Sequence, residues 1–260
     1  MKIKGYVIFG TILVVVGACF VGFSAARPDF DVKKYAKENL KFEEITKATD
    51  EIDKIAISVN ADKVTIIEEN RSDIYIQNKI LDNLTYDISV VNNVLLIDQR
   101  ENTKWYENIF AFGFHKMHAF STEPLVIKIP NSKTFDYDIS INAGTLKAND
   151  IKADHFVTEV NAGTVDFDLC VADSMQIEVN AGTLSFYNSQ VNRINAEVNA
   201  GTLKYGGAIA NSGIFEVNAG SIYLNFTDKE ENYTINGNGS GPSIITSDCS
   251  AGSIKYTFNN

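Results

Sequence analysis

The chain has 260 residues, 45% hydrophobic and 22% charged, with a formal net charge of −10 at pH 7. That length accommodates one large or two modest domains, and the acidic balance argues against nucleic acid, which needs a basic footprint, and against wrapping an anionic bilayer. Only 4 prolines stand against 17 glycines, so strands meet few obstacles and turns have many places to form.

The first element is apolar. After Met-Lys-Ile-Lys comes GYVIFGTILVVVGACFVGFSAA, twenty-two uncharged residues from Gly5 to Ala26. A bilayer-spanning helix needs about 20 such residues, whereas the apolar part of a signal peptide runs to ~7–15. Residues 1–26 therefore read as an uncleaved N-terminal transmembrane helix. Cleavage after Ser24-Ala25-Ala26 and lipoprotein processing at Cys19 are the alternatives. Lys2 and Lys4 put the N terminus in the cytoplasm, although Arg27, Lys33 and Lys34 beyond the helix pull the other way. The expected location is the cell membrane, single-pass, with the remainder extracytoplasmic.

Residues 27–50 are highly charged and read as a stalk with one short helix. From Ile52 to Arg100 the text alternates as strands in KIAISVNADKVTIIEE, SDIYIQNKI and TYDISVVNNVLLIDQ. An aromatic segment interrupts it: Trp105, Tyr106, Phe110, Phe112, Phe114 and Phe120 fall within sixteen residues. A patch of that size rarely stays exposed without a purpose. The segment is either a cap over the fold or a candidate interaction surface for a partner or membrane. His115 and His118 inside it read as loop residues.

From about residue 136 the chain repeats itself. Asn-Ala-Gly begins at Asn142, Asn161, Asn180, Asn199 and Asn218, four intervals of nineteen residues without drift. Ser250-Ala251-Gly252 is a degenerate copy one period plus thirteen residues later, and Asn60-Ala61-Asp62 is another far upstream. In the aligned copies Ile141, Val160, Val179, Val198, Val217 and Cys249 precede the corner. Leu146, Val165, Leu184, Leu203, Ile222 and Ile254 follow it, and Ala148, Phe167, Phe186, Tyr205, Leu224 and Tyr256 come two further on. Apolar residues at every second position are the strand period. Between them Ser140, Glu159, Glu178, Glu197, Glu216 and Asp248 face water.

A fixed period of this length, with no unit able to bury its face alone, predicts an all-β β-solenoid (β-helix) of 19-residue rungs stacked at ~4.8 Å, following the one N-terminal transmembrane helix. The solenoid is expected to span 51–260. Gly144, Gly163, Gly182, Gly201, Gly220 and Gly252 mark a repeat turn that needs either positive φ or close backbone approach. Asn, Gly and Thr columns should form ladders. Cys170 and Cys249 are expected to be free, buried thiols, too far apart to bridge. The last rung, SIKYTFNN, presents an open edge that pairs with a second copy, accepts a partner's strand or is covered by the thirteen-residue insertion.

The order DKIAISVNADKVTI, VNNVLLID, LVIKIPNSKTFDYDISINAGTL and then Asn-Ala-Gly-Thr units, behind an apolar N-terminal helix, resembles the bacterial putative-adhesin domain of unknown function with β-strand repeats. The resemblance covers roughly residues 50–260. It implies an envelope-associated, non-enzymatic β-solenoid and brings no catalytic residues.

The sequence thus points to an extracytoplasmic, adhesin-like solenoid that binds or scaffolds at the cell envelope, with an unknown envelope protein or a surface glycan as partner. A docking component of envelope-stress regulation is the alternative. A carbohydrate-active β-helix enzyme is the remaining one, but the only carboxylate cluster is the repeated Glu column, which reads as a solvated face, and no nucleophile–base set is recognisable. No catalysis, cofactor or metal site is expected.

Overall fold

The computed structural model describes residues 41–80, 84–101 and 123–259; the apolar segment of residues 1–26 read as a transmembrane helix, most of the segment read as a stalk and the whole aromatic segment lie outside them. The first group of strands is β1 (Lys41–Ala48), β2 (Lys54–Val59), β3 (Lys63–Glu69), β4 (Asp73–Ile80), β5 (Leu84–Val91), β6 (Val94–Glu101) and β7 (Leu125–Pro130). The array follows as β8 (Asp136–Ile141), β9 (Thr145–Asn149), β10 (Lys152–Val160), β11 (Thr164–Asp168), β12 (Val171–Val179), β13 (Thr183–Val198), β14 (Thr202–Val217) and β15 (Ser221–Phe226). The insertion holds β16 (Tyr233–Ile235) and β17 (Asn238–Gly239), and β18 (Ser243–Cys249) and β19 (Ser253–Phe258) close the described chain.

Every strand belongs to one hydrogen-bonded sheet that the chain winds into two rows. One row runs β6, β2, β8, β10, β12, the second halves of β13 and β14, and β18. The other runs β7, β3, β9, β11, the first halves of β13 and β14, β15 and β19. Within the array the pairing is parallel and, apart from one slip between β13 and β14, residues face those nineteen positions on: Val160 meets Val179, Val179 meets Val198, and Thr164 meets Thr183. The pairing onto β18 and β19 spans thirty-two positions, as Ile222 opposite Ile254 shows. The intervening residues fold outward as a 3-10 turn (Glu230–Asn232) and the β16–β17 hairpin.

The first layers are built differently. Antiparallel partners β5 on β6 and β4 on β7 cover that end, and β1 adds to β4. Strand β1 falls within the segment read as a charged stalk. Its residues are mostly exposed, so no buried face marks it in the sequence.

The core is the inward half of each strand's alternation. Ile141, Val160, Val179, Val198, Leu146, Val165, Leu184 and Leu203 are all fully buried. Phe167 and Phe186 stack with centroids 5.1 Å apart, and Phe156 meets Phe167 edge-on at 4.9 Å. Parallel stacking puts like residues at like depth, so one aromatic column serves several layers. Burial pushes the Cys170 thiol up to about 12, which makes it an inert core side chain. Cys249 is free but exposed, contrary to the expected burial, because β16 pairs only with Ser243 to Ile245 of β18 and, among the described residues, no strand pairs over the Cys249 end.

The glycine corners are explained by distance. None of the six repeat glycines is among the residues with positive φ. A Cβ at Gly163 would sit 2.6 Å from the carbonyl oxygen of Gly144, and one at Gly182 would sit 2.5 Å from that of Gly163 and 2.5 Å from Val160 Cγ1. Left-handed backbone occurs instead at a second corner, in Asp150, Leu169 and Asn188, again nineteen residues apart.

Gly182→Ala should therefore destabilise the domain by ~1–3 kcal/mol or more, because the added methyl separates two layers that hydrogen-bond through the corner. Glu178→Ala, between two like charges on a wet face, should change stability by less than about 0.5 kcal/mol. Denaturant midpoints of the two variants check this; equal midpoints would contradict the packing assigned to the corner.

Candidate functional site

Three features of the described surface and interior carry polar groups in a fixed arrangement. The first is the Asn corner. Asn142 Nδ2 donates to Asn60 Oδ1 at 2.7 Å, and the relay continues through Asn161, Asn180, Asn199 and Asn218, each donating to the asparagine below at 2.7–2.8 Å. The backbone does the same: Ala162 N–H bonds Asn142 O at 2.6 Å and Thr164 N–H bonds Gly144 O at 3.0 Å. Of the hydroxyls in the Thr/Ser column, Ser253 donates to Ser221 at 3.1 Å. The Asn-Ala-Gly-Thr motif thus spends its polar groups on stacking.

The second is the start of the ladder, where Asn60-Ala61-Asp62 has no repeat corner beneath it. Gln99 Oε1 accepts from Asn60 N–H at 2.8 Å and Ala61 N–H at 3.2 Å, substituting for the carbonyls that a lower layer would supply. Asp62 Oδ1 accepts Lys63 N–H at 2.7 Å, the bond that elsewhere goes to the glycine carbonyl below. Asp in place of Gly is therefore a built-in cap. Its charge is matched by Lys79, whose Nζ lies 2.5 Å from Asp62 Oδ1 and 2.7 Å from Glu123 O, with no exposed surface on the lysine side chain. Tyr86 donates to Asp62 Oδ2 at 2.6 Å, and its burial beside that carboxylate pushes the phenol's pKa well upward. The sequence signalled this only as a departure from the motif.

The third lies on the outer face of the second row, around Tyr187. Lower layers turn through a left-handed residue, but β14 passes the same corner with one residue fewer. Phe186 pairs with Tyr205, whereas Ser189 pairs with Gly207, so Tyr187 and Asn188 together face Gly206. Such a bulge re-aims side chains. A Cβ at Gly207 would overlap Ser189 O, which explains the second glycine. The result is a notch of about 430 Å³ lined by Tyr187, Asn188, Asn225, Thr257 and Phe258 among others, with Tyr187 46% exposed. A second depression of about 370 Å³ lies on the other side of Tyr187, over Asn149, Asp166 and Asp168.

The acidic column is assembled but open. Glu159, Glu178, Glu197, Glu216 and Asp248 are successive partners across the layers. Among the described residues, no group of His, Cys, Asp and Glu is arranged to hold a metal ion. His155 Nδ1 lies 2.8 Å from Ser174 Oγ on the surface. The candidate interaction surface Trp105, Tyr106, Phe110, Phe112, Phe114 and Phe120, together with His115 and His118, lies outside the described residues.

A family model for the Toastrack DUF4097 domain matches residues 52–247. The chain belongs to the Toastrack DUF4097 family. No curated protein matches it. Among solved structures it is similar to a putative adhesin from Bacteroides fragilis NCTC 9343, at 14% identity and a TM-score of 0.48, over 84% of this chain and 97% of that one. A putative adhesin from Parabacteroides merdae ATCC 43184 aligns at 12% identity and a TM-score of 0.45, over 85% and 98%. A putative lipid binding protein from Parabacteroides distasonis ATCC 8503 aligns at 12% identity and 0.31, over 85% and 98%.

In this Toastrack domain, Lys79→Met should leave the Asp62 carboxylate buried without its counter-charge and cost about 3–5 kcal/mol. Arg193→Met removes an ion pair to Asp173 in which both side chains are about half exposed and should cost at most about 1 kcal/mol. Urea melts of the two variants distinguish a ladder cap from an ornamental pair. Native-state alkylation should mark Cys249 and spare Cys170, read by peptide mass spectrometry.

Proposed function

We propose that the parallel stack is a β-solenoid of 19-residue rungs that acts as a non-catalytic binding or scaffolding element at the cell envelope, held outside the cytoplasm by the apolar helix of residues 1–26. The observation that supports this reading is the continuous ladder from β8 to β19, which displays side chains in rows on two faces braced by the Asn and Gly corners. A surface of that kind is preorganised, so little ordering entropy is lost when an extended partner lies on it. The corner polar groups are committed to holding it.

Membrane attachment rests on the sequence. Among the described residues no helix is long and apolar enough to cross a membrane, and Gly5–Ala26 lie outside them. The apolar length exceeds what a peripheral contact requires.

The full chain should fractionate with membranes and resist extraction by high salt and alkaline carbonate. Recovery of a soluble product beginning at Arg27 would show instead that the segment is a cleaved signal. Binding without catalysis is checked separately: incubation with cell-wall and plant polysaccharides should release no product detectable by reducing-end assay.

A further inference from the structure

We propose that the notch beside Tyr187 binds a neutral saccharide chain. The proposal rests on the reading of this chain as a non-catalytic binding element and gives that element a ligand class.

The notch exists because the array departs from its own period at one place. Every other layer of the array keeps its nineteen-residue offset or, at the insertion, a fixed thirty-two. Between Phe186 and Val191 the offset to β14 falls to eighteen, and it returns to nineteen by Arg193. Consecutive Gly206 and Gly207 carry β14 past the corner with no side chain to fill the space above Tyr187. A large aromatic ring is thereby left standing next to a cavity of ligand-site volume. Local exceptions to a repeat that is otherwise followed are where function is expected.

The lining selects the occupant. None of the residues lining the notch is charged, in a chain where 22% of residues are, and the Asp168 carboxylate beside it is engaged by Asn188 Nδ2. An anion would find no basic group there and a metal cation no carboxylate in the lining, so both would lose hydration without compensation. What the notch does present is a ring and oriented amides. Asn225 Oδ1 accepts from Thr257 Oγ1 at 2.7 Å, which fixes its Nδ2 as a free donor. Asn188 Nδ2 donates to Asp168 Oδ1 at 3.0 Å, which leaves its own oxygen as an acceptor. A pyranose has one flat C–H face and a rim of hydroxyls that both donate and accept. Its C–H face matches the Tyr187 ring, and its hydroxyls match the two amides and Thr257. The depression on the far side of Tyr187, lined by Ile67, Asn149, Phe167 and Asp168 among others, continues the surface along the stack axis with a mostly apolar lining. The site therefore suits an extended chain better than an isolated sugar.

The test is isothermal titration of the full-length chain, in detergent, with chitohexaose and cellohexaose, alongside its Tyr187→Ala and Tyr187→Trp variants. Saturable binding of at least one hexamer is expected, weakened about tenfold or more by Tyr187→Ala and retained by Tyr187→Trp. Thermal midpoints should stay within a few degrees, because Tyr187 is 46% exposed. The proposal is overturned if neither hexamer binds, or if Tyr187→Ala binds as wild type does. Cosedimentation with lipid-free cell-wall sacculi separates the two levels. Sacculi bound equally by wild type and Tyr187→Ala would sink the notch while leaving the envelope-binding reading intact. If wild type binds neither sacculi nor sugar, both fail.

Discussion

The structure depends on how closely successive layers approach at the Asn-Ala-Gly corner. Parallel strands must stay at ~4.8 Å to keep their hydrogen bonds, and a corner offers no strand geometry to enforce that spacing. Here the corner maintains it through backbone bonds such as Ala181 N–H to Asn161 O at 2.7 Å and Thr183 N–H to Gly163 O at 2.9 Å. Any side chain at the glycine would occupy the space those bonds need. The asparagine amide adds a second rail beside the first, each donating downward and accepting from above. With both rails in place, the hydrophobic columns Val160–Val179–Val198 and Val165–Leu184–Leu203 are brought into contact with no further requirement on their shape.

A ladder of this kind has ends, and the described ends are treated unequally. At the first layer, side chains stand in for the missing backbone: Gln99 for the carbonyls under Asn60 and Ala61, Asp62 for the glycine carbonyl, and Lys79 and Tyr86 to hold that carboxylate in the dry interior. The antiparallel strands β4 to β6 then close over it. At the last described layer the β16–β17 hairpin reaches only Ser243 to Ile245 of β18, with Tyr233 packed 4.2 Å from Phe226. Ile254, Tyr256 and Phe258 of β19 remain half-buried. Pairing of two copies through this edge, anticipated from the sequence, is a proposal for which the described residues supply an open strand.

Much of the array was legible because parallel stacking converts a sequence period directly into spatial neighbours. The columns read from Ile141 to Ile254 are the columns that pair. What escaped the reading were features that leave the period untouched. The need for glycine was open between conformation and distance, since both place Gly at a turn, and the left-handed corner proved to be filled by Asp150, Leu169 and Asn188. The slip at Tyr187 is invisible in the Asn spacing because it is repaired before Asn199. Strand β1 has no alternation to reveal it, and Cys249 follows its column in sequence while lacking a layer above it in space.

The central claim is that these corners are ladder and not loop, and amide hydrogen exchange of Ala162, Ala181 and Ala200 tests it directly. Each stands at a turn on the protein surface, where an ordinary loop amide exchanges within seconds to minutes. Each nonetheless donates to the layer below at 2.6–2.7 Å. The account predicts protection at these three positions as strong as that of the core strand amides at Val165 and Leu184, opening only with the unfolding of the stack. Fast exchange at the three alanines, with protection confined to the strands, would contradict it.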